Sequence, residues 1–128
     1  MDDGADELDP LTGAVIGAAI EVHRILGPGL LESVYQEALS HELGLRGIPF
    51  EVQVKVPIEY KGRILGDDLK MDVVVDGRVV LELKSVDRLD PIHEAQLLTY
   101  LRLSRIQVGL LINFNVRVLK DGIRRRVL

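Results

Sequence analysis

An α/β fold, with a mixed sheet of four to five strands flanked by helices, is predicted by three features of the chain. Residues 50–60 and 70–84 alternate apolar and polar positions as half-buried strands do. Two segments before them and one after Asp90 keep the three-four apolar spacing of helices that pack on one face. Residues 107–114 (QVGLLINF) form an apolar run after the last helix, as expected for a strand buried on both sides and reached by a parallel crossover.

Composition limits the function classes. A chain of 128 residues is most simply one domain, able to bury roughly two-thirds of its surface. No apolar run approaches the length of about 20 residues that spans a bilayer. The acidic N-terminus lacks the basic and apolar blocks of a signal peptide. A cytoplasmic location with no membrane partner is the expectation. The absence of cysteine excludes disulfides and thiolate zinc sites. The net charge of −4 is unevenly spread, because Asp2, Asp3, Asp6, Glu7 and Asp9 fall within the first ten residues. The remaining fifteen acids face sixteen Lys and Arg, so the body is near neutral and neither demands nor forbids phosphate contacts. Residues 1–8 read as a disordered acidic tail, and 9–128 as a single domain.

Asp9-Pro10 starts the first helix, with Asp as N-cap and Pro at the first helical position. Leu11, Ala14, Val15, Ala18, Ala19, Val22, Ile25 and Leu26 form its stripe, and Gly27-Pro28-Gly29 ends it. His23, in the last turn, reads as a histidine favoured by the helix dipole or by the last carbonyls. The second helix covers about 31–46, burying Leu31, Val34, Tyr35, Ala38, Leu39 and Leu43. Glu32 lies in its first turn, where the helix N-terminus stabilises a carboxylate; the alternative role is a third acid in a metal site. In 50–60, Phe50, Val52, Val54, Val56, Ile58 and Tyr60 share a face, with Glu51, Gln53, Lys55 and Glu59 opposite and Pro57 marking an edge or bulge. Asp67 and Asp68 read as solvated loop acids, with an outer-shell role as the alternative.

Residues 70–84 (KMDVVVDGRVVLELK) read as a hairpin carrying charges where a strand should pack. Glu82 and Lys84 are two apart and point to one face. A two-residue turn at Asp76-Gly77 would place Met71 opposite Glu82. A three-residue loop, Asp76-Gly77-Arg78, pairs Val75 with Val79 and brings Asp72 opposite Glu82; this register is the expectation. Two carboxylates so placed repel unless a cation sits between them, and oxygen ligands suit Mg²⁺ or Mn²⁺. A cross-strand ion pair on an exposed face is the plain alternative. Asp90-Pro91 then starts a third helix running to Arg102 or Ser104. It aligns His93, Gln96 and Tyr100 as a polar stripe, which a solvent-facing side would also explain. A final hairpin around Asp121-Gly122 would put Arg124 and Arg126 on one face and Arg125 on the other, as a solvated edge or as phosphate contacts.

Asp72 followed by Glu82-x-Lys84 resembles the metal site of the PD-(D/E)XK nuclease superfamily, with Met71 in place of the proline. Gly29-Leu30-Leu31-Glu32-Ser33-Val34-Tyr35 is a G-x-x-E-x-x-Y string. With Glu21-Val22-His23 and Gly27-Pro28-Gly29, it resembles the small bacterial and archaeal GxxExxY protein family, which is placed within that superfamily. The resemblance covers roughly residues 10–128 and implies a restriction-endonuclease-like core with Glu32 as the upstream acid. Gln96-x-x-x-Tyr100 resembles the Q-x-x-x-Y motif of helicase-associated exonucleases. It implies that Gln96 and Tyr100 position the metal site or the DNA backbone, with His93 a lesser candidate. The expected activity is metal-dependent hydrolysis of nucleic-acid phosphodiesters, DNA before RNA. Asp72, Glu82 and Glu32 would hold Mg²⁺ or Mn²⁺, and Lys84 would stabilise the phosphate or assist the attacking water. The alternative is a catalytically silent nuclease-fold binding or accessory module acting with a protein partner or as a homo-oligomer.

Overall fold

In the computed structural model, which describes residues 3–66 and 69–128 (side chains from residue 10 onward), three helices and seven strands alternate along the described chain. The order is α1 (Asp3–Leu26), α2 (Glu32–Leu45), β1 (Phe50–Val56), β2 (Glu59–Tyr60), β3 (Arg63–Ile64), β4 (Leu69–Val75), β5 (Val79–Lys84), α3 (Pro91–Ser104), β6 (Val108–Asn113) and β7 (Ile123–Val127). A five-stranded sheet runs β1-β4-β5-β6-β7, and β2 and β3 form a separate small hairpin. β5 and β6 pair in parallel through the α3 crossover, and the other neighbours are antiparallel. This is the mixed α/β sheet flanked by helices that the sequence predicts, and it is consistent with a restriction-endonuclease-like fold. Among the described residues, no helix is long and apolar enough to cross a membrane.

The sheet is covered on both faces, which is why its central strands are continuously apolar. On one face, Val73, Val75, Val79, Leu81, Leu83, Val108, Leu110 and Ile112 pack against Val15, Ala18, Val22, Tyr35, Leu39 and Leu43 of α1 and α2. On the other, Val56, Met71, Val74, Val80 and Leu111 pack against Leu97, Tyr100 and Leu101 of α3. α3 rests directly on β6 at Gly109, where an added Cβ would lie 2.7 Å from Leu97 Cδ1.

Several expectations change. α1 begins at Asp3 rather than at Asp9-Pro10, with Pro10 inside it, so one backbone bond that a proline nitrogen cannot donate is forgone. The side chains of the expected tail, residues 1–8, lie outside the described residues, as do Asp67 and Asp68. The strand expected over 50–60 stops at Val56 before Pro57; Glu59 and Tyr60 pair instead with Ile64 and Arg63. Its single-faced apolar row is also broken. Phe50 packs on the α1/α2 core, Val54 and Val56 join the α3 core, and Val52 is 42% exposed. The cause is Gln53, whose φ of 50° swivels the strand and drops it from the ladder between Val52↔Val73 and Val54↔Met71. The final hairpin does not form either. Leu119–Gly122 is a 3-10 turn, and β7 pairs along β6, satisfying the outer edge of a buried strand. There Arg126 forms an ion pair with Glu94 of α3 at 2.5 Å, while Arg124 Nη1 donates to the Asp121 carbonyl at 3.1 Å.

The contact at Gly109 makes a stability prediction. Gly109→Ala drives a methyl into Leu97 and Leu101 and should cost about 1–3 kcal/mol in chemical denaturation. Gly13→Ala, in an open and exposed position of α1, should stabilise the protein by about 0.5–1 kcal/mol.

Candidate active site

The β4–β5 hairpin turns through Asp76 and Gly77, with φ of 52° and 64°, and Arg78 N–H donates to the Val75 carbonyl at 2.9 Å. The ladder pairs Val75 with Val79, Val74 with Val80 and Val73 with Leu81. This is the three-residue loop and the register expected from the sequence, and no pairing of Met71 with Glu82 occurs. One step further, where Asp72 and Glu82 would pair, the two backbones part. The Asp72 carboxylate fills the gap, its Oδ2 accepting the Leu83 N–H at 2.7 Å. On the other side of Asp72, Gln53 has left the β1 ladder. Asp72 therefore sits where β4 has no ladder partner on either side, with its side chain reaching across to β5.

Glu82 lies beside it on β5 and is 4% exposed. Burial, then hydrogen bonding to Asp72 and the charges of Asp72 and Glu32, push its carboxyl up to about 9, with Lys84 acting in the opposite direction. From the α3 side, Tyr100 brings its hydroxyl to Glu82. Burial, followed by the Glu82 and Asp72 charges and the hydrogen bond to Glu82, pushes that phenol up to about 12. The parting strands thus gather Asp72, Glu82, Lys84 and Tyr100 into one electrostatic unit, with Glu32 within its field.

Glu32 is the first residue of α2 and is exposed. Its approach is set by the loop before it, where Gly27 and Gly29 have φ of 70° and 97°. Tyr35 pins that loop. Its hydroxyl donates to the Gly27 carbonyl at 2.5 Å and accepts the Leu30 N–H at 3.2 Å, and its ring stacks on Phe114 with centroids 4.4 Å apart. Ser85, just beyond Lys84, donates its hydroxyl to the Leu30 carbonyl at 2.6 Å and its N–H to Glu32 Oε2 at 3.4 Å. Gly27 and the glycine and tyrosine of the G-x-x-E-x-x-Y string, Gly29 and Tyr35, therefore act locally, by setting the path of the chain into Glu32. The sequence places Tyr35 on a buried stripe and at the end of the G-x-x-E-x-x-Y string; its anchoring role follows from the need of a buried tyrosine hydroxyl for a partner.

Asn113 was also missed. It is 2% exposed at the end of β6, opposite Lys84. Its Oδ1 accepts the Val86 N–H at 3.1 Å and the Asn115 N–H at 3.2 Å, while Nδ2 donates to the Val86 carbonyl at 2.9 Å. A lone amide at the end of an apolar run was the available signal, since a buried amide must find partners. His23 donates from Nε2 to the Val116 carbonyl at 2.7 Å, a structural tie between α1 and the segment after β6.

The remaining α3 candidates separate. His93 Nδ1 accepts the Asp90 N–H at 3.1 Å and so secures the start of the helix. Gln96 is exposed, one turn from Tyr100, and lines with it a shallow cavity of about 190 Å³ together with Leu69, Ile92, Ala95 and Thr99. A second cavity, of about 280 Å³, is lined by Glu32, Ser33, Gln36, Gln53, Asp72 and Leu83. Among the described residues, no three His, Asp or Glu side chains stand close enough to form a ready-made metal cage. The donor set is carboxylate oxygen throughout, the chemistry of a hard divalent ion.

The family model of the PD-(D/E)XK nuclease superfamily matches residues 9–126. No curated protein and no solved structure matches the chain. A family match that spans all but the first eight and last two residues, on a mixed sheet whose strands part beside Asp72, carries a single conclusion: the chain belongs to the PD-(D/E)XK nuclease superfamily.

Proposed function

We propose that the protein is a Mg²⁺- or Mn²⁺-dependent nuclease that hydrolyses the phosphodiester backbone of DNA, and that within the superfamily it is a GxxExxY protein. The observation that supports this reading best is the state of Glu82. A carboxyl buried to 4% exposure is pushed up to about 9, first by that burial and then by the hydrogen bond and charge of Asp72, with Glu32 adding to the effect and Lys84 opposing it. A divalent cation is the ordinary remedy for such a site. Asp72, Glu82 and Glu32 are the residues that would hold it. Bound there, the ion would polarise the phosphoryl group and acidify a water.

The chain's own groups have distinct roles in this reading. Lys84, on the face of β5 that carries Glu82, offsets the charge that develops on the phosphate oxygens or orients the attacking water. Tyr100 fixes the Glu82 carboxyl by hydrogen bonding to it. Gln96, exposed one turn away, is a backbone contact for the bound strand, and His93 supports the helix that carries both.

The second reading, a binding module without turnover that acts with a partner or as a homo-oligomer, draws on one observation. The three acids are not gathered into a cage, and one oxygen of Asp72 is already engaged by Leu83 N–H. A cleavage assay on single-stranded DNA, duplex DNA and RNA in Mg²⁺ or Mn²⁺ separates the two. The wild type should cut DNA, and Lys84→Ala should lose on the order of 100-fold in rate. Equal cleavage by Lys84→Ala would trace the activity to a contaminant; metal binding without cleavage would favour the binding module.

Glu82 also sets a pH dependence for the metal-free protein. Its folded value of about 9 lies above the ordinary 4.5, so between these limits the folded state holds a proton that the unfolded chain has lost. The Glu82 contribution to stability should therefore be full below about 4.5 and be lost as pH rises toward 9. Denaturation at pH 5 and pH 8.5 in chelator should show this fall in the wild type and a smaller one in Glu82→Gln.

A further inference from the structure

The cavity beside Asp72 has two chemically different walls. Glu32 and Asp72 are acids assigned above, whereas Ser33, Gln36 and Gln53 are neutral polar groups with no part in that scheme. Gln53 occupies its place against local preference. Its φ of 50° lies in the left-handed region, which a long unbranched side chain in mid-strand seldom adopts, and it forgoes ladder pairing opposite Asp72. Strain of this kind collects at functional sites. Here it accompanies a side chain that lines the cavity, where Gln53 Nε2 donates to Gln36 Oε1 at 2.7 Å, joining β1 to α2.

An amide–amide bond uses one N–H and one oxygen lone pair, and leaves the pair with both donors and acceptors to spare. Among the described residues, both amide N–H groups of Gln36, the second N–H of Gln53 and the Gln53 oxygen have no protein partner. A phosphate offers acceptors alone and would leave the Gln53 oxygen facing an anion. A nucleobase edge presents donor and acceptor side by side, the complement of this pair. On the nuclease reading above, we infer that Gln36 and Gln53 read the exposed base edge of the nucleotide beside the scissile phosphate, giving the enzyme a base preference. That edge can come from an unpaired strand or from the groove of a duplex.

Fluorescence anisotropy with labelled dA, dC, dG and dT 12-mers and with a mixed-sequence duplex, in Ca²⁺ without Mg²⁺, tests this. Gln53→Gly suits the left-handed backbone and removes the amide, so its melting temperature should not fall. It and Gln36→Ala should each weaken the preferred oligonucleotide by about tenfold and flatten the ranking among bases. A loss confined to the 12-mers identifies the unpaired strand as the source; a loss confined to the duplex identifies the groove. Wild-type affinity and ranking in both variants, or an equal loss on every sequence, would overturn the inference, while loss of cleavage in Lys84→Ala would leave the nuclease reading standing. A wild type that neither binds nor cuts any nucleic acid would remove both.

Discussion

Where β4 and β5 part, a side chain takes over from the backbone. The Asp72 carboxylate accepts the Leu83 N–H at 2.7 Å, at the point where the ladder has ended with Val73 and Leu81. A buried N–H must be satisfied, and satisfying it from a side chain lets the strands separate without an orphaned donor. The separation gives Glu82 and Lys84 a place on a central strand that would otherwise carry apolar residues. It also commits Asp72 to a position beside Glu82, so that two acids share a space with little water. The raised Glu82 carboxyl is the electrostatic consequence of that arrangement.

The surrounding scaffold holds in place charges that repel each other. Tyr100 meets Glu82 from α3, and α3 is fixed by close contact at Gly109 and by Arg126 pairing with Glu94. Tyr35, stacked on Phe114, fixes the loop that delivers Glu32, and Ser85 ties that loop to the end of β5. Asn113 holds the connection beyond Lys84. None of these groups is an acid or base of the proposed chemistry. Each anchors one of the elements that carry Asp72, Glu82, Lys84 and Glu32.

Much of this was legible in the sequence, for physical reasons that can be named. The β4–β5 register followed from Asp76-Gly77, residues that tolerate positive φ, and from an alternation that one slip would have turned inside out. α2 and α3 fell within a residue or two of their expected ends because glycine, proline and Asp90 punctuate them. The parallel β5–β6 pairing followed from the crossover helix. Gln53 was not legible, because glutamine carries no preference for the left-handed region that would mark the break in β1. The partner of β7 was not legible either, since edge pairing along β6 is a long-range choice that competed with a plausible local hairpin. The approach of Glu32 rests on contacts between Ser85 and Leu30, which are far apart in sequence.

The convergence of Asp72, Glu82 and Glu32 on one divalent ion is the central claim, and calorimetric titration of the chelator-treated protein with Mn²⁺ at pH 8 tests it most directly. Saturable binding that vanishes in Asp72→Ala is the predicted result. Absence of binding at millimolar Mn²⁺, or undiminished binding by Asp72→Ala, would contradict it.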